Sequence, residues 1–260
     1  MSILDEIFLH KRKEVEHARA RVSLADLKEN AQSCPPAQGF MKALQNSPHP
    51  LALIAEVKAA SPSEGTIRAN FDPESIAKSY ANAGADALSV LTDQKYFGGD
   101  SQNIRLAKDA AKLPALRKDF IYDEYQIWEA KLWGADAFLL IAAALANDEL
   151  AHLLEIGQEA GLDALVEVHT KEETERALTA GATLIGVNNR DLSTFETRLE
   201  TSEELLPLIA PHALAVSESA LKTHDDLLRV QQAGARAVLI GTRFCQSDDI
   251  ESAVHEVMNR

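Results

Sequence analysis

Four glycines set the frame of this chain. Gly84, Gly181 and Gly234 each sit in an Ala-Gly-Ala triplet and Gly134 in the variant Trp133-Gly134-Ala135, at successive spacings of 50, 47 and 53 residues. Each ends a helix-like stretch and precedes a short apolar run, at residues 86–91, 136–141, 183–187 and 236–240. A glycine one step past the last helical turn supplies the left-handed residue that stops a helix. Four further runs lie between these, at residues 51–58, 114–118, 163–168 and 213–217. Most are short and β-branched or Leu-rich, as strands buried on both faces are.

The segments between the runs carry helix-start signals. Asp72-Pro73 pairs a capping residue with a proline at the first helical position. Thr170-x-x-Glu173 and Thr201-x-x-Glu204 have the spacing of capping boxes, and Asn147 and Asp248 are further expected caps. Eight strands alternating with helices imply an α/β fold with a parallel sheet, and eight units close naturally into a (β/α)8 TIM barrel. An open doubly wound sheet would place a Gly-rich turn after its first strand. Here the chain reads Ala59-Ala60-Ser61-Pro62-Ser63-Glu64-Gly65, without G-x-G-x-x-G, and it has no Walker P-loop. With 260 residues, the length matches the roughly 250 typical of one such barrel. We expect a single domain, with an N-terminal helical extension over residues 1–50 and the barrel over 51–260. Residues 2–22 read as an amphipathic helix with Ile3, Leu4, Ile7 and Phe8 on one side, serving as a plug below the barrel or a lid above it.

The net charge of −14 leaves no broad basic face for a nucleic-acid partner. Cys34 and Cys245 form no CxxC pair and no disulfide framework. The charged first 21 residues do not resemble a signal peptide. The longest apolar run, residues 137–146, is far below the roughly 18 residues of a membrane span. A cytoplasmic protein that binds no membrane is expected, monomeric or weakly homo-oligomeric. With no HExxH, and with Glu167-x-His169 weak on its own, no metal and no cofactor is expected.

In such a barrel, chemistry sits at the C-terminal ends of the strands. The first run ends with Glu56 and Lys58, two residues apart and so on one face. The third ends at Lys118-Asp119, the fifth at Glu167-Val168-His169, and the sixth leads into Asn188-Asn189-Arg190. The seventh ends at Glu218-Ser219 and the eighth at Gly241-Thr242. Any one of these has a structural explanation, such as an ion pair. Six strand ends converging on one rim are harder to dismiss, because buried charges need partners. The set suits acid–base work on an anionic, phosphorylated small molecule. The loops at Glu218-Ser219-Ala220 and Gly241-Thr242-Arg243 stand where barrels commonly bind phosphate.

These motifs resemble the indole-3-glycerol-phosphate synthase family. The segments that carry the resemblance are Ile54 to Ser63, Leu91 to Gly99, Lys118 to Ile121 with Tyr125-Gln126-Ile127, and Gly186 to Leu192. It implies a carboxy-lyase of tryptophan biosynthesis that closes the ring of 1-(2-carboxyphenylamino)-1-deoxyribulose 5-phosphate, releasing carbon dioxide and water. By family position Lys118 is the general acid, Glu167 fits a base, and Glu56 and Lys58 share later acid–base work. Asn188 and Ser219 orient substrate polar groups, and Arg190 stands near the carboxylate. Ser61, Ser219, Gly241 and Thr242 belong to the phosphate region, with Glu218 and Ala220 beside them. Phe120 and Pro62 wall the aromatic ring, and Leu239 completes the lining. The resemblance also favours the lid role for the first helix, so that removing residues 1–45 is expected to leave a folded barrel with poor catalysis. The chain departs from the family at Ala220, where Gly is usual, at Arg243-Phe244, and at Asp100, where Ser is common. Other readings are a sugar-phosphate isomerase, a Schiff-base aldolase using Lys118 or Lys58, or a barrel degenerated into a binding protein.

Overall fold

The computed structural model describes residues 3–191 and 194–260. Ser2 and Leu192, at the ends of two segments named above, lie outside the described residues. Eight parallel strands close a barrel: β1 (Ala52–Val57), β2 (Ala87–Leu91), β3 (Ala115–Ile121), β4 (Ala137–Ile141), β5 (Asp163–Val168), β6 (Leu184–Asn188), β7 (Leu214–Glu218) and β8 (Ala237–Ile240). Each strand pairs with its neighbours in sequence, and β8 returns to β1 with Ala52 opposite Ala237. This is the expected (β/α)8 TIM barrel. All four frame glycines have positive φ, between 80° and 113°, as helix-stopping residues should.

Four helix-start signals work differently from their sequence reading. Thr201 lies inside the helix Glu200–Ile209 rather than capping it. Leu199 is buried, and the Asn189 side chain accepts the Ser202 N–H at 3.0 Å, so the first turn is anchored before Thr201. Asp249, not Asp248, caps the last helix. Asn147 is the first helical residue, and Glu149 reaches back to the N–H of Ala146. Thr170 does cap its helix, but the Glu173 carboxylate bonds the His169 N–H at 2.7 Å instead of closing the box.

The extension divides into α1 (Ile3–Arg21), α2 (Leu24–Gln32) and α3 (Phe40–Gln45). It is both lid and plug, by different helices. On α1, Ile7, Phe8, Lys11 and Val15 face inward, and its first turn overhangs the C-terminal end of the barrel. On α3, Phe40 and Leu44 are fully buried in a cluster with Ala52, Ala87, Ala137 and Ala237. Alanines at the base of four strands leave room for the Phe40 ring. Asp136 and Asp163 fasten the plug by accepting the N–H groups of Gln38 at 2.6 Å and Met41 at 2.8 Å. Removing residues 1–45 takes the plug with the lid, so it is expected to destabilise the barrel rather than spare it. Phe40→Ala should cost about 3–5 kcal/mol in denaturant unfolding. Wild-type stability in that variant would show that the ring is not part of the core.

Candidate active site

Alternation along each strand turns every second side chain inward. The lower tiers are apolar: Ile54, Leu116, Leu139, Leu165, Leu184 and Val216 are all buried there. One step further along β1, β3, β5 and β7, the same phase delivers Glu56, Lys118, Glu167 and Glu218. The apolar core therefore ends in a charged floor. Above it opens a cleft of about 520 Å³, within the range of small-molecule sites.

Lys118 is the centre of the floor. Its Nζ lies 3.0 Å from Glu167 Oε2 and 2.7 Å from Glu218 Oε2. Across the cleft Lys58 Nζ lies 2.6 Å from Glu56 Oε1 and donates to Thr242 Oγ1 at 3.2 Å. Burial disfavours the Lys118 ammonium, but the carboxylates of Glu167, Glu218 and Glu56 outweigh it and hold its pKa well above the ordinary lysine value. Burial likewise disfavours the Glu167 carboxylate; Lys118, His169 and the Asn188 amide reverse this and keep its pKa below the usual value. Glu218 is pushed up to about 7, by burial first and then by the neighbouring Glu167 and Glu56, against the pull of Lys118. Three carboxyl groups thus face two ammonium groups, and one carboxyl holds its proton into the neutral range.

Two inward glycines make this packing possible. A Cβ on Gly186 would stand 2.1 Å from Glu218 Oε1, and one on Gly241 2.3 Å from Glu56 Oε1. Gly186 was not singled out among the sequence candidates. Its signal was a glycine at an inward position of an otherwise apolar strand.

The fifteen residues that the family resemblance assigned to the site all line this cleft. Phe120 forms an aromatic wall with Phe97 and Phe8, at centroid distances of 5.8 and 5.9 Å. Asn188 accepts the Arg190 N–H at 3.0 Å. Ile3, Leu4 and Ile7 of α1, together with Leu91, Ile141 and Lys222, line it as well and were not among the candidates. Lys11 was also missed: its buried Nζ lies 2.9 Å from Asp93 and 3.0 Å from Asp119, pinning α1 to the ends of β2 and β3. Among the described residues, no group of three or more His, Cys, Asp or Glu is arranged to hold a metal ion. Among the same residues, no helix is long and apolar enough to cross a membrane.

The β7 loop is strained. Ser219 and Ala220 have φ of 64° and 60°, a region that disfavours a Cβ. Ala220 therefore adopts a left-handed backbone conformation that favours glycine. Arg243, on the neighbouring loop, lines the cleft and pairs with Glu256 at 2.7 Å. Ala220→Gly is expected to relieve roughly 1 kcal/mol of strain, partly offset by the flexibility it gives the unfolded chain, and to tighten inorganic phosphate binding modestly. Arg243→Ala should weaken that binding less once Ala220 is glycine. Dissociation constants from the double-mutant cycle check this, and strict additivity would show that the two positions do not compensate each other.

The fold alone is shared with distant barrels. A 3-hexulose-6-phosphate synthase superposes with a TM-score of 0.61 at 15% identity, over 80% of this chain and 99% of that one. A thiamine phosphate pyrophosphorylase from Pyrococcus furiosus gives 0.59, also at 15%, over 80% and 94%. Sequence similarity is far more specific. Indole-3-glycerol phosphate synthase of Roseiflexus sp. (strain RS-1) is 47% identical over 264 residues, 98% of each chain. The protein of the same description in Chlorobium luteolum is 49% identical over 250 residues, 96% of this chain and 95% of its own. The family model described as indole-3-glycerol phosphate synthase matches residues 4–257, from the lid helix through the last helix of the barrel. With its charged floor, lid and plug all inside that match, this chain belongs to the indole-3-glycerol phosphate synthase family.

Proposed function

We propose that the chain closes the indole ring of 1-(2-carboxyphenylamino)-1-deoxyribulose 5-phosphate, giving indole-3-glycerol phosphate, carbon dioxide and water. The observation that carries this reading is the Lys118 ammonium, buried at the cleft floor between Glu167 and Glu218. The ring carbon bearing the carboxylate attacks the ribulose ketone. A carbon–carbon bond forms, and the carbonyl oxygen takes its π electrons and a proton from Lys118 Nζ. The ring nitrogen is now iminium-like. Carbon dioxide leaves, and the electrons of its bond return to the ring. The new hydroxyl takes a proton from the Lys58–Glu56 pair and departs as water. Glu167 removes the last ring proton and the indole is aromatic. The residues supply charge and protons throughout, and no step calls for a cofactor.

The arrangement also bears on the aldolase reading. A Schiff-base lysine needs a neutral amine, favoured by burial beside other cations or apolar groups. Lys118 has the opposite surroundings. In binding, Ser61, Ser219, Ala220, Gly241 and Thr242 would take the phosphate, Arg190 the carboxylate, and Phe120 with Pro62 the aromatic ring. Leu239 lines the wall between them, and Asn188 and Ser219 orient polar groups. Residues 1–50 act as extension and 51–260 as barrel within one domain. Turnover is tested by following indole fluorescence with the carboxylated substrate. A barrel that binds this substrate and releases no carbon dioxide would overturn the reading.

A further inference from the structure

His169 stands directly behind Glu167 and outside the cleft lining. His169 follows β5 immediately, two residues after Glu167, and its ring lies beside that carboxylate. His169 Nε2 is shielded from solvent and makes no hydrogen bond of good geometry; Glu167 Oε1 lies 3.5 Å away. On the other side of the ring, His169 Nδ1 lies 3.3 Å from Glu173 Oε2, and the same carboxylate oxygen accepts the His169 N–H at 2.7 Å. Glu173 therefore holds both the backbone and the ring. This use of Glu173 explains why it does not complete the capping box with Thr170.

We propose that His169 is a positioning residue for Glu167: clamped by Glu173, its imidazolium faces Glu167 Oε1 and keeps that carboxylate ionised and turned with Oε2 towards Lys118. This rests on the base role given to Glu167 above. The charged and titratable groups around His169 are Glu167 on β5, Glu173 on the following helix, Glu218 on β7 and, through Glu167, Lys118 on β3. Burial works against the imidazolium, but the three carboxylates outweigh it and hold His169 above its ordinary range.

The sign of the effect follows. Removing a cation beside Glu167 raises its pKa, so the base is lost to protonation at a higher pH. His169→Gln is expected to move the acid limb of kcat upward by roughly one pH unit, which reads as about tenfold lower kcat on that limb. At alkaline pH the rates should converge on wild type, and KM should change little. Glu173→Gln keeps an acceptor for the backbone N–H and removes the charge, so it should shift the limb the same way by less. Imidazole resonances give a second readout, independent of turnover: His169 should titrate at lower pH in both Glu167→Gln and Glu173→Gln than in wild type. A pH-independent loss of kcat in His169→Gln, or an unmoved His169 titration in both carboxylate variants, would overturn the proposal. Wild-type protein that forms no indole product would instead overturn the reaction itself, leaving the titration result standing.

Discussion

Replacing Lys118 with arginine is expected to stop turnover as completely as replacing it with alanine. Arginine keeps the positive charge and can still bond both Glu167 and Glu218, which now flank Lys118 Nζ at 3.0 and 2.7 Å. It does not release a proton near working pH. If the ammonium served only to attract the substrate, the arginine variant would be active. As a proton donor it should lose at least the ~10²–10⁴ carried by general acid catalysis. The alanine variant suffers a second loss. It leaves two buried carboxyl groups facing each other with no cation between them, at a cost in stability of about 3–5 kcal/mol. Measuring unfolding beside fluorescence turnover separates the two losses. Near-wild-type rates in the arginine variant would rule Lys118 out as the donor.

Glu167→Gln is expected to lower kcat by ~10²–10⁴ while KM changes far less. The amide is nearly the same size and still offers an oxygen to Lys118, so the floor should keep its shape. What disappears is the group that takes the ring proton, an event that belongs to the chemical steps and not to binding. A rise in KM with kcat preserved would make Glu167 a binding residue and reassign the base.

The strands were legible because burial on both faces writes them as short apolar runs, and the frame glycines mark where every second barrel helix stops. The site was legible for a related reason: an inward phase that turns from apolar to charged near the end of the strand breaks the rule of the core. What escaped depended on contacts distant in sequence. Asn189 caps a helix 13 residues later, so Thr201 looked like a start when the start had already been made. Lys11 sits on the buried stripe of α1, four residues after Ile7 and four before Val15, and its partners come from two other strand ends. Phe40 carries no periodic pattern, since α3 has only six residues. The lid and plug alternatives therefore read as a choice, although the chain builds both.

The unequal count of charges on the cleft floor ties ligand binding to the solvent's acidity. Glu218 is poised at about 7 because it is buried and because two other carboxyl groups stand close to it, with Lys118 offsetting only part of the effect. A substrate carrying a carboxylate and a phosphate brings more negative charge into the same enclosure, which raises that poise further. The complex should then take up part of a proton from the medium as it forms. Calorimetric binding heats for an unreactive analogue, with an alcohol in place of the ketone, would differ between buffers in proportion to each buffer's heat of ionisation. The uptake should peak slightly above neutrality and fade on either side, and it should shrink when Glu218 is replaced by glutamine. Heats that are the same in every buffer would mean that the floor keeps its protons fixed while the ligand enters.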